Sequence, residues 1–168
     1  MTGVLVTYGT KNGSTLEVAE AIAMALRGGG CDVDVAPAAD VRELDDYGAV
    51  VLGGALYIGR LHRDAAGFLK RHRHALQEMP LAVFAMGPKT MAPADVVASR
   101  EQLDHALADV PELTPVAVAI FGGVVDPSKL RFPFNRMPAS DARDWDAIGA
   151  WSREVSVLFA RDREPVAA

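Results

Sequence analysis

The chain has 168 residues, half of them hydrophobic, and its 17 basic and 22 acidic side chains give a formal net charge of −5. This length suits one domain with a packed core, and the hydrophobic content excludes extended disorder. The acidic balance argues against nucleic acid as a partner, because surfaces that bind phosphate backbones are basic. We expect one domain over residues 1–161 and a disordered tail over residues 162–168, which show no hydrophobic pattern.

The composition also bears on location. The single cysteine, Cys31, cannot form an internal disulfide, so nothing requires an oxidising compartment. No apolar run reaches the roughly 20 residues that cross a bilayer, and the N-terminal residues lack a leader-peptide pattern. We therefore expect a cytoplasmic protein without a transmembrane segment, either a monomer or a homodimer. Peripheral contact with a membrane is left open.

Hydrophobic periodicity predicts strands and helices in alternation. Short β-rich runs predict five strands, and apolar residues at three- and four-residue spacing predict four helices. A run of three glycines, 28–30, is expected to end the first helix, and a further short helix could form near residues 41–46. Residues 124–143 show no regular pattern, which in a compact domain is typical of a functional or inserted segment. The predicted strands cover residues 4–8, 31–35, 49–52, 81–86 and 115–121, and the predicted helices cover residues 16–26, 65–76, 96–110 and 145–159.

This alternation favours an α/β fold in which helices cover both faces of a parallel sheet. Right-handed crossovers leave few topologies, and the strand order 2-1-3-4-5 is the common one at this size. Ligands of such sheets bind where the strand order reverses, outside the carboxyl ends of the strands. We therefore expect a binding crevice between the first and third strands.

The segment that leaves the first strand is suited to a phosphate group. Backbone N–H groups at the start of the first helix, together with the helix dipole, favour an anion there. Gly13 permits close backbone approach, and Lys11 adds positive charge. Ser14 with Glu17 three residues later is also typical of a capping box, which needs no ligand, so both interpretations stay open. The Walker and G-x-G-x-x-G patterns are absent from the sequence, which disfavours ATP, GTP and NAD(P) as ligands.

The same turn resembles a known family. Thr10-x-Asn12-Gly13-x-Thr15 is similar to the T-x-T-G-x-T phosphate loop of flavodoxins, with asparagine at the middle position. Residues 51–62 and the residues that follow them, up to His72, are similar to the flavodoxin-like protoporphyrinogen oxidases that use menaquinone as electron acceptor. Met79-Pro80 and the alanine-rich strand before residues 122–123 match as well. The resemblance covers most of the chain and implies a flavodoxin-like three-layer fold with non-covalently bound FMN.

The resemblance also implies, by position, three segments that bind FMN. In those oxidases a long basic and apolar insertion lies between the last strand and the last helix. The corresponding residues 126–143 are shorter here and mix basic with acidic side chains, which leaves the substrate open. The implied phosphate residues are Thr10, Asn12, Gly13, Ser14 and Thr15, with Lys11 adding charge; Ala55, Leu56, Tyr57, Ile58 and Gly59 would flank one side of the flavin ring, and Met86, Gly87, Pro88, Lys89 and Thr90 the other.

Several residues allow more than one interpretation. Tyr57 can stack on the flavin or close the core, while Arg60 and Lys89 can tune the flavin or be solvated rim residues. The segment Phe132-Pro133-Phe134 can form a lid, a docking surface or structural filling.

Two further assignments concern caps and metals. Asp144 is expected to be an N-terminal charge or a cap of the last helix rather than a catalyst. His62, His72 and His74 lack an accompanying cysteine or carboxylate at ligand spacing, so we expect no metal.

The sequence thus predicts an FMN-dependent oxidoreductase related to the quinone-linked protoporphyrinogen oxidases. Its partners would be a redox partner protein, a quinone or a small-molecule substrate. A flavodoxin-type electron carrier and a non-catalytic binding module of the same fold are the alternatives. No catalytic acid, base or nucleophile can be assigned, which suits electron transfer or hydride acceptance at a flavin.

Overall fold

A computed structural model describes residues 3–10 and 13–163 of the chain. Strands and helices alternate along these ranges as the periodicity predicts. The strands are β1 (Gly3–Gly9), β2 (Val33–Pro37), β3 (Tyr47–Tyr57), β4 (Arg60–Leu61), β5 (Leu81–Met86), β6 (Ala117–Phe121), β7 (Val124–Val125) and β8 (Ser140–Asp141), and the helices are α1 (Ser14–Gly28), α2 (Arg63–Arg71), α3 (Arg73–Gln77), α4 (Pro93–Ala108) and α5 (Trp145–Arg163).

The central sheet has five parallel strands in the order β2-β1-β3-β5-β6, which confirms the predicted order 2-1-3-4-5. Strand β1 lies between its two neighbours, with Val6 paired to Val35 on one side and Val51 on the other. Strand β4 was not predicted and pairs antiparallel with the far end of β3. After β1 the chain crosses to β2 on one side, and after β2 it crosses back to β3 on the other side of β1. The direction of the strand order therefore reverses here, and the carboxyl ends of β1 and β3 border the expected crevice.

Helices cover both faces of the sheet, as predicted. On one face α1 and α5 enclose a core in which Trp151 meets Phe84 and Phe121 edge to face, with ring centroids 6.0 and 5.7 Å away. On the other face α2 and α4 enclose a second core that contains Phe68 and Leu103. Nearly continuous apolar strands such as β5, which is buried along its whole length, are what a sheet covered on both faces requires.

Two glycine features fit this packing. Gly53 lies in β3 where a Cβ would stand 2.0 Å from Cζ of Phe84, so only glycine leaves room for that ring. At the end of α1, Gly30 has a φ of 92°, and Cys31 N–H donates to the carbonyl of Leu26 at 3.0 Å. This is a Schellman arrangement, and it confirms that the glycine run ends the first helix.

The structure corrects three element boundaries. The predicted helix at residues 41–46 is wrong, because the only helical turn there is a 3₁₀ turn at Ala38–Asp40. The second strand begins at Val33 rather than residue 31, since Cys31 still belongs to the helix end. The predicted helix at residues 65–76 is two helices, α2 and α3, which meet at His72.

The C-terminal elements also differ from expectation. Residues 124–143 are not wholly irregular, because β7 and β8 pair antiparallel at their two ends. Helix α5 continues to Arg163, two residues past the predicted domain boundary. The rest of the predicted tail, residues 164–168, lies outside the described residues.

Candidate functional site

The turn after β1 leads into α1 without a side-chain cap in the described part of the chain. Gly13 precedes the helix with a φ of 87°, and its N–H donates to Oγ1 of Thr10 at 3.2 Å. Ser14 is the first helical residue rather than the cap, and Glu17 pairs with Arg143 instead of closing back on Ser14. The capping-box alternative is therefore not formed. The predicted ligands Lys11 and Asn12 lie outside the described residues.

Thr15 is the most informative residue of this turn. Its side chain is fully buried, and Oγ1 has no hydrogen-bond partner among the described residues. A buried hydroxyl without a partner costs about 1–3 kcal/mol, so such groups are rare unless they serve a ligand. The start of α1 also offers N–H groups and the positive end of the helix dipole. The donors of this turn fit a phosphate group.

The second predicted segment, residues 55–59, is a β-hairpin rather than a loop. Strand β3 continues to Tyr57, and β4 returns beside it, with Leu56 opposite Leu61. The two turn residues, Ile58 and Gly59, have φ values of 48° and 75°. Positive φ at both central positions is typical of the type I′ turn that fits the twist of a hairpin. Tyr57 is 40% exposed at the end of β3, so it does not close the core.

The third predicted segment, residues 86–90, lies against this hairpin. A Cβ on Gly87 would stand 2.7 Å from Cδ1 of Leu56, so glycine allows the close contact. The Gly87 N–H donates to the carbonyl of Phe121 at 3.2 Å. Thr90 donates a hydrogen bond to Asp95 in the first turn of α4. These contacts fix the segment between the hairpin, β6 and α4.

The structure brings the second and third segments together around one cavity of about 440 Å³. The hairpin and the third segment form two of its walls, and the first turns of α4 form the remaining wall. The phosphate turn is not part of this lining. Of the predicted ring neighbours, Ala55, Tyr57 and Met86 also lie outside it. The lining comprises Leu56, Ile58 and Gly59, then Gly87, Pro88, Lys89 and Thr90, then Asp95, Ala98, Ser99 and Gln102.

Residues 124–143 close over the end of β6. A Cβ on Gly122 would stand 2.0 Å from the carbonyl oxygen of Ala142, and Gly123 donates to the carbonyl of Pro88 at 2.9 Å. The segment is therefore attached to the third predicted loop. Phe132 is 70% exposed, with the guanidinium of Arg136 at 5.2 Å from its ring centroid. For Phe132, structural filling of a core is the wrong interpretation.

Arg143 forms an ionic cluster with Glu17 and Asp141 near the phosphate turn. Its side chain is only 11% exposed, and Nη1 donates to Oε2 of Glu17 at 2.6 Å. Nε and Nη2 donate to both carboxylate oxygens of Asp141, at 3.0 and 2.8 Å, and these bonds lower the pKa of Asp141. The guanidinium also lies 4.9 Å from the ring centroid of Trp145.

Sequence reasoning did not assign Arg143 a role. Glu17 and Arg143 are 126 residues apart, so no local spacing could reveal the pair. The two side chains line a smaller cavity of about 200 Å³ together with Ser14, Val124, Asp126 and Lys129.

The other predicted residues have structural roles. Asp144 accepts a hydrogen bond from the Ala147 N–H at 3.1 Å, which confirms it as the cap of α5. His62 likewise caps α2 through the Asp64 N–H at 3.2 Å. Among residues 3–10 and 13–163, no group of three or more metal-ligating side chains comes together. Within the same ranges, no helix is both long enough and apolar enough to cross a bilayer.

The fold and the turn after β1 together define an α/β domain of the mononucleotide-binding class. The family model described as "Flavodoxin domain" matches residues 5–137, so the chain belongs to the flavodoxin domain family. FMN is the cofactor of this family, and the predictions of the fold and the cofactor are confirmed. The chain is an FMN-binding redox protein.

Individual relatives show how far the likeness extends. Protoporphyrinogen IX dehydrogenase [quinone] of Escherichia coli strain K12 is 31% identical over 84 residues, 49% of this chain and 46% of that protein. The aligned part of the chain thus spans about half the length of this curated relative. A short-chain flavodoxin associated with a bacterial microcompartment superposes with a TM-score of 0.64, at 14% identity, over 98% of this chain and 100% of that one. Flavodoxin 1 of Bacillus cereus gives 0.63, at 16% identity, over 97% and 100%.

Proposed function

We propose that this chain is an FMN-dependent oxidoreductase related to the quinone-linked protoporphyrinogen oxidases, and that it holds the FMN phosphate on the turn after β1. The observation that carries the proposal is the Thr15 hydroxyl, which is buried without a partner among the described residues. A phosphate oxygen would accept its hydrogen bond at a helix start that is already suited to an anion.

The proposed binding residues are those of the three segments. The hairpin and the third segment already face each other across one cavity, which supports their assignment to the flavin ring. We assign Thr10, Lys11, Asn12, Gly13, Ser14 and Thr15 to the phosphate, and Ala55, Leu56, Tyr57, Ile58, Gly59, Met86, Gly87, Pro88, Lys89 and Thr90 to the ring.

When bound, FMN supplies the redox chemistry, and the chain supplies binding, orientation and electrostatics. Leu56 and Pro88 are apolar parts of the lining of the larger cavity, and they would exclude water from the face of a bound flavin ring. Lys89, exposed at its rim, adds positive charge beside the ring segment. No proton-transfer residue of this chain is assigned, and the protons that leave the porphyrinogen would pass to the reduced quinone or to water.

The substrate class comes from the partial relative. The name of that relative couples protoporphyrinogen IX to a quinone, and the 31% identity over 84 residues supports the same pair of substrates here. The exposed Phe132 beside Arg136 offers a surface for a lid or for docking at the same end of the sheet. We further propose that the protein is cytoplasmic and that it exchanges electrons with a redox partner protein.

The phosphate assignment is tested by FMN and riboflavin titrations. Thr15→Val keeps the shape of the side chain and removes its hydroxyl, whereas Thr15→Ser keeps the hydroxyl. A hydrogen bond to a charged group contributes about 1.5–3 kcal/mol. We therefore expect Thr15→Val to weaken FMN roughly 10- to 100-fold, to leave riboflavin nearly unchanged, and to differ from Thr15→Ser. Equal weakening of FMN and riboflavin would place the phosphate elsewhere.

The reaction is tested by anaerobic turnover of protoporphyrinogen with a quinone acceptor. We expect the holoprotein to oxidise the porphyrinogen and reduce the quinone. A protein that retains FMN but shows no turnover would contradict the oxidoreductase assignment. Rapid electron exchange with a partner reductase would then identify the electron carrier that the sequence left as the alternative.

A further inference from the structure

Glu17 places a carboxylate in the first turn of α1, beside the proposed phosphate site. It follows Ser14 by three residues, so the two side chains are neighbours on the helix surface, and both line the cavity of about 200 Å³. A lone carboxylate at a helix start is favoured by the dipole. A phosphate at the same helix start competes for that dipole, and the two negative charges repel each other. Glu17 therefore opposes the proposed ligand unless its charge is compensated.

Arg143 provides the compensation. Its Nη1 lies 2.6 Å from Oε2 of Glu17, and although the Glu17 side chain is 61% exposed, that of Arg143 is only 11% exposed, so the cation is held in place beside the carboxylate. Its other two nitrogens, Nε and Nη2, donate hydrogen bonds to Asp141. The guanidinium has five N–H donors, and these contacts use three of them, one each on Nε, Nη1 and Nη2. Asp126 and Lys129 in the same cavity pair with each other at 4.0 Å, so they add no net charge.

We propose that Arg143 is a positioning residue for the FMN phosphate, which it serves by neutralising Glu17 and holding that carboxylate against the 124–143 segment. The inference rests on the proposed phosphate site. A largely buried arginine from the segment before α5 thus reaches the first turn of α1, where an exposed ion pair alone would contribute little stability.

The experiment measures FMN and riboflavin dissociation constants for Arg143→Gln, Glu17→Gln and the double variant. We expect Arg143→Gln to weaken FMN roughly tenfold, about 1.4 kcal/mol, and riboflavin less than about twofold. The double variant also removes the Glu17 carboxylate that Arg143→Gln leaves unpaired, so its FMN affinity should return to within about threefold of the wild type. The loss should shrink at about 1 M salt, where the Debye length is about 3 Å. Arg136→Gln, which removes a cation from the same segment but not from Glu17, is the matched control.

Two outcomes overturn the inference. One is equal weakening of FMN and riboflavin by Arg143→Gln, and the other is a double variant that stays as weak as the single one. Either would mean that Arg143 acts by fixing the 124–143 segment alone. If Arg143→Gln does not fold, Glu17→Gln decides the matter, because it should bind FMN as tightly as the wild type or more tightly. Weaker FMN binding in that variant contradicts the inference.

The Thr15 variants separate this inference from the function on which it rests. If Thr15→Val weakens FMN and riboflavin equally, the phosphate site itself is wrong. If Thr15→Val is selective for FMN but Arg143→Gln is not, the site stands and only the role of Arg143 fails.

Discussion

The imidazole of His72 is buried between α2 and the residues after β2. Nε2 lies 3.2 Å from the carbonyl oxygen of Val41, and the ring packs on Phe68 at a centroid distance of 4.7 Å. Burial lowers the pKa of His72 and outweighs the bond to the Val41 carbonyl, which raises it, while the adjacent Arg71 guanidinium lowers it further. At pH values below the ordinary pKa of histidine, the unfolded chain therefore binds a proton at this residue more readily than the folded protein does.

This predicts that stability falls as the pH drops below about 6.5, the ordinary pKa of histidine. The free energy of unfolding, measured with urea at several pH values, should decline less steeply in His72→Gln than in the wild type. His74→Gln, an exposed change in the neighbouring helix, serves as the control and should keep the wild-type slope. An unchanged slope in His72→Gln would contradict the prediction.

Tyr47 provides a second titration at the residue scale. Its hydroxyl donates to Oδ2 of Asp34 at 2.8 Å, and partial burial together with this bond raises the pKa of Tyr47 to about 12. We expect the tyrosinate absorbance of the wild type, minus that of Tyr47→Phe, to titrate near that value. Asp34→Asn should move the pKa part of the way back toward 10.0, since burial remains. No change of the pKa with Asp34→Asn would remove the negative charge of Asp34 as a cause of the shift.

At the scale of elements, the hairpin turn contains a strained residue. Ile58 adopts a φ of 48°, which β-branched residues rarely do, while 74% of its side chain is exposed. Such strain costs on the order of 1–3 kcal/mol, and it concentrates at functional segments. Asparagine tolerates the left-handed region, so Ile58→Asn relieves strain while losing little buried surface.

We expect Ile58→Asn to raise the free energy of unfolding by about 1 kcal/mol. Urea denaturation at a fixed FMN concentration measures this free energy for each variant. The FMN dissociation constant of each variant is also determined, so that the stabilisation contributed by bound FMN can be subtracted. Ile58→Val keeps the branched Cβ and should show no gain. Equal stability of the two variants would mean that the turn is not strained.

The elements show what sequence patterns can and cannot predict. Strand β5 matches its prediction at both ends, because an unbroken apolar run is the direct signature of a strand buried on both faces. The β3–β4 hairpin escaped prediction because isoleucine is not a turn residue, and its φ is set by pairing with β4. The break at His72, whose ring contacts Val41, could not be predicted because the hydrophobic period continues across it.

The same limit applies to the site. The turn chemistry of residues 10–15 and their position after β1 could be predicted from sequence, because both are local. The burial of Thr15 Oγ1 could not, since it depends on how α1 packs on the sheet. The pairing of Glu17 with Arg143 joins residues at opposite ends of the chain, so it required the fold.

For the whole molecule, charge is unevenly distributed. Three segments at the carboxyl ends of β3, β5 and β7 carry six cationic and three acidic side chains. These segments are residues 57–64, 86–95 and 126–139. These segments are net positive in a chain whose formal net charge is −5. Within the described residues, exposed Arg60 and Lys89 form no ion pair. The local field beside these three segments is therefore more positive than the net charge of the molecule suggests.

This predicts the salt dependence of flavin oxidation by small ions. Reoxidation of the reduced holoprotein by ferricyanide, an anion, should slow as salt is added, because the local positive field attracts the oxidant. A cationic oxidant such as hexaamminecobalt(III) should show the opposite trend. Arg60→Gln combined with Lys89→Gln should flatten the ferricyanide dependence. If ferricyanide instead reacts faster at high salt, the net charge governs access and the local field does not.

The pairing of β7 with β8 brings Val125 beside Ser140, so residues 126–139 leave the domain and return at adjacent positions. Each doubling in length of a loop closed in this way costs only about 0.6 kcal/mol in entropy. Insertions and deletions between these two positions can therefore accumulate with little effect on the sheet. Relatives built on this scaffold can diverge in what they recognise while the flavin-binding part of the domain is inherited almost unchanged.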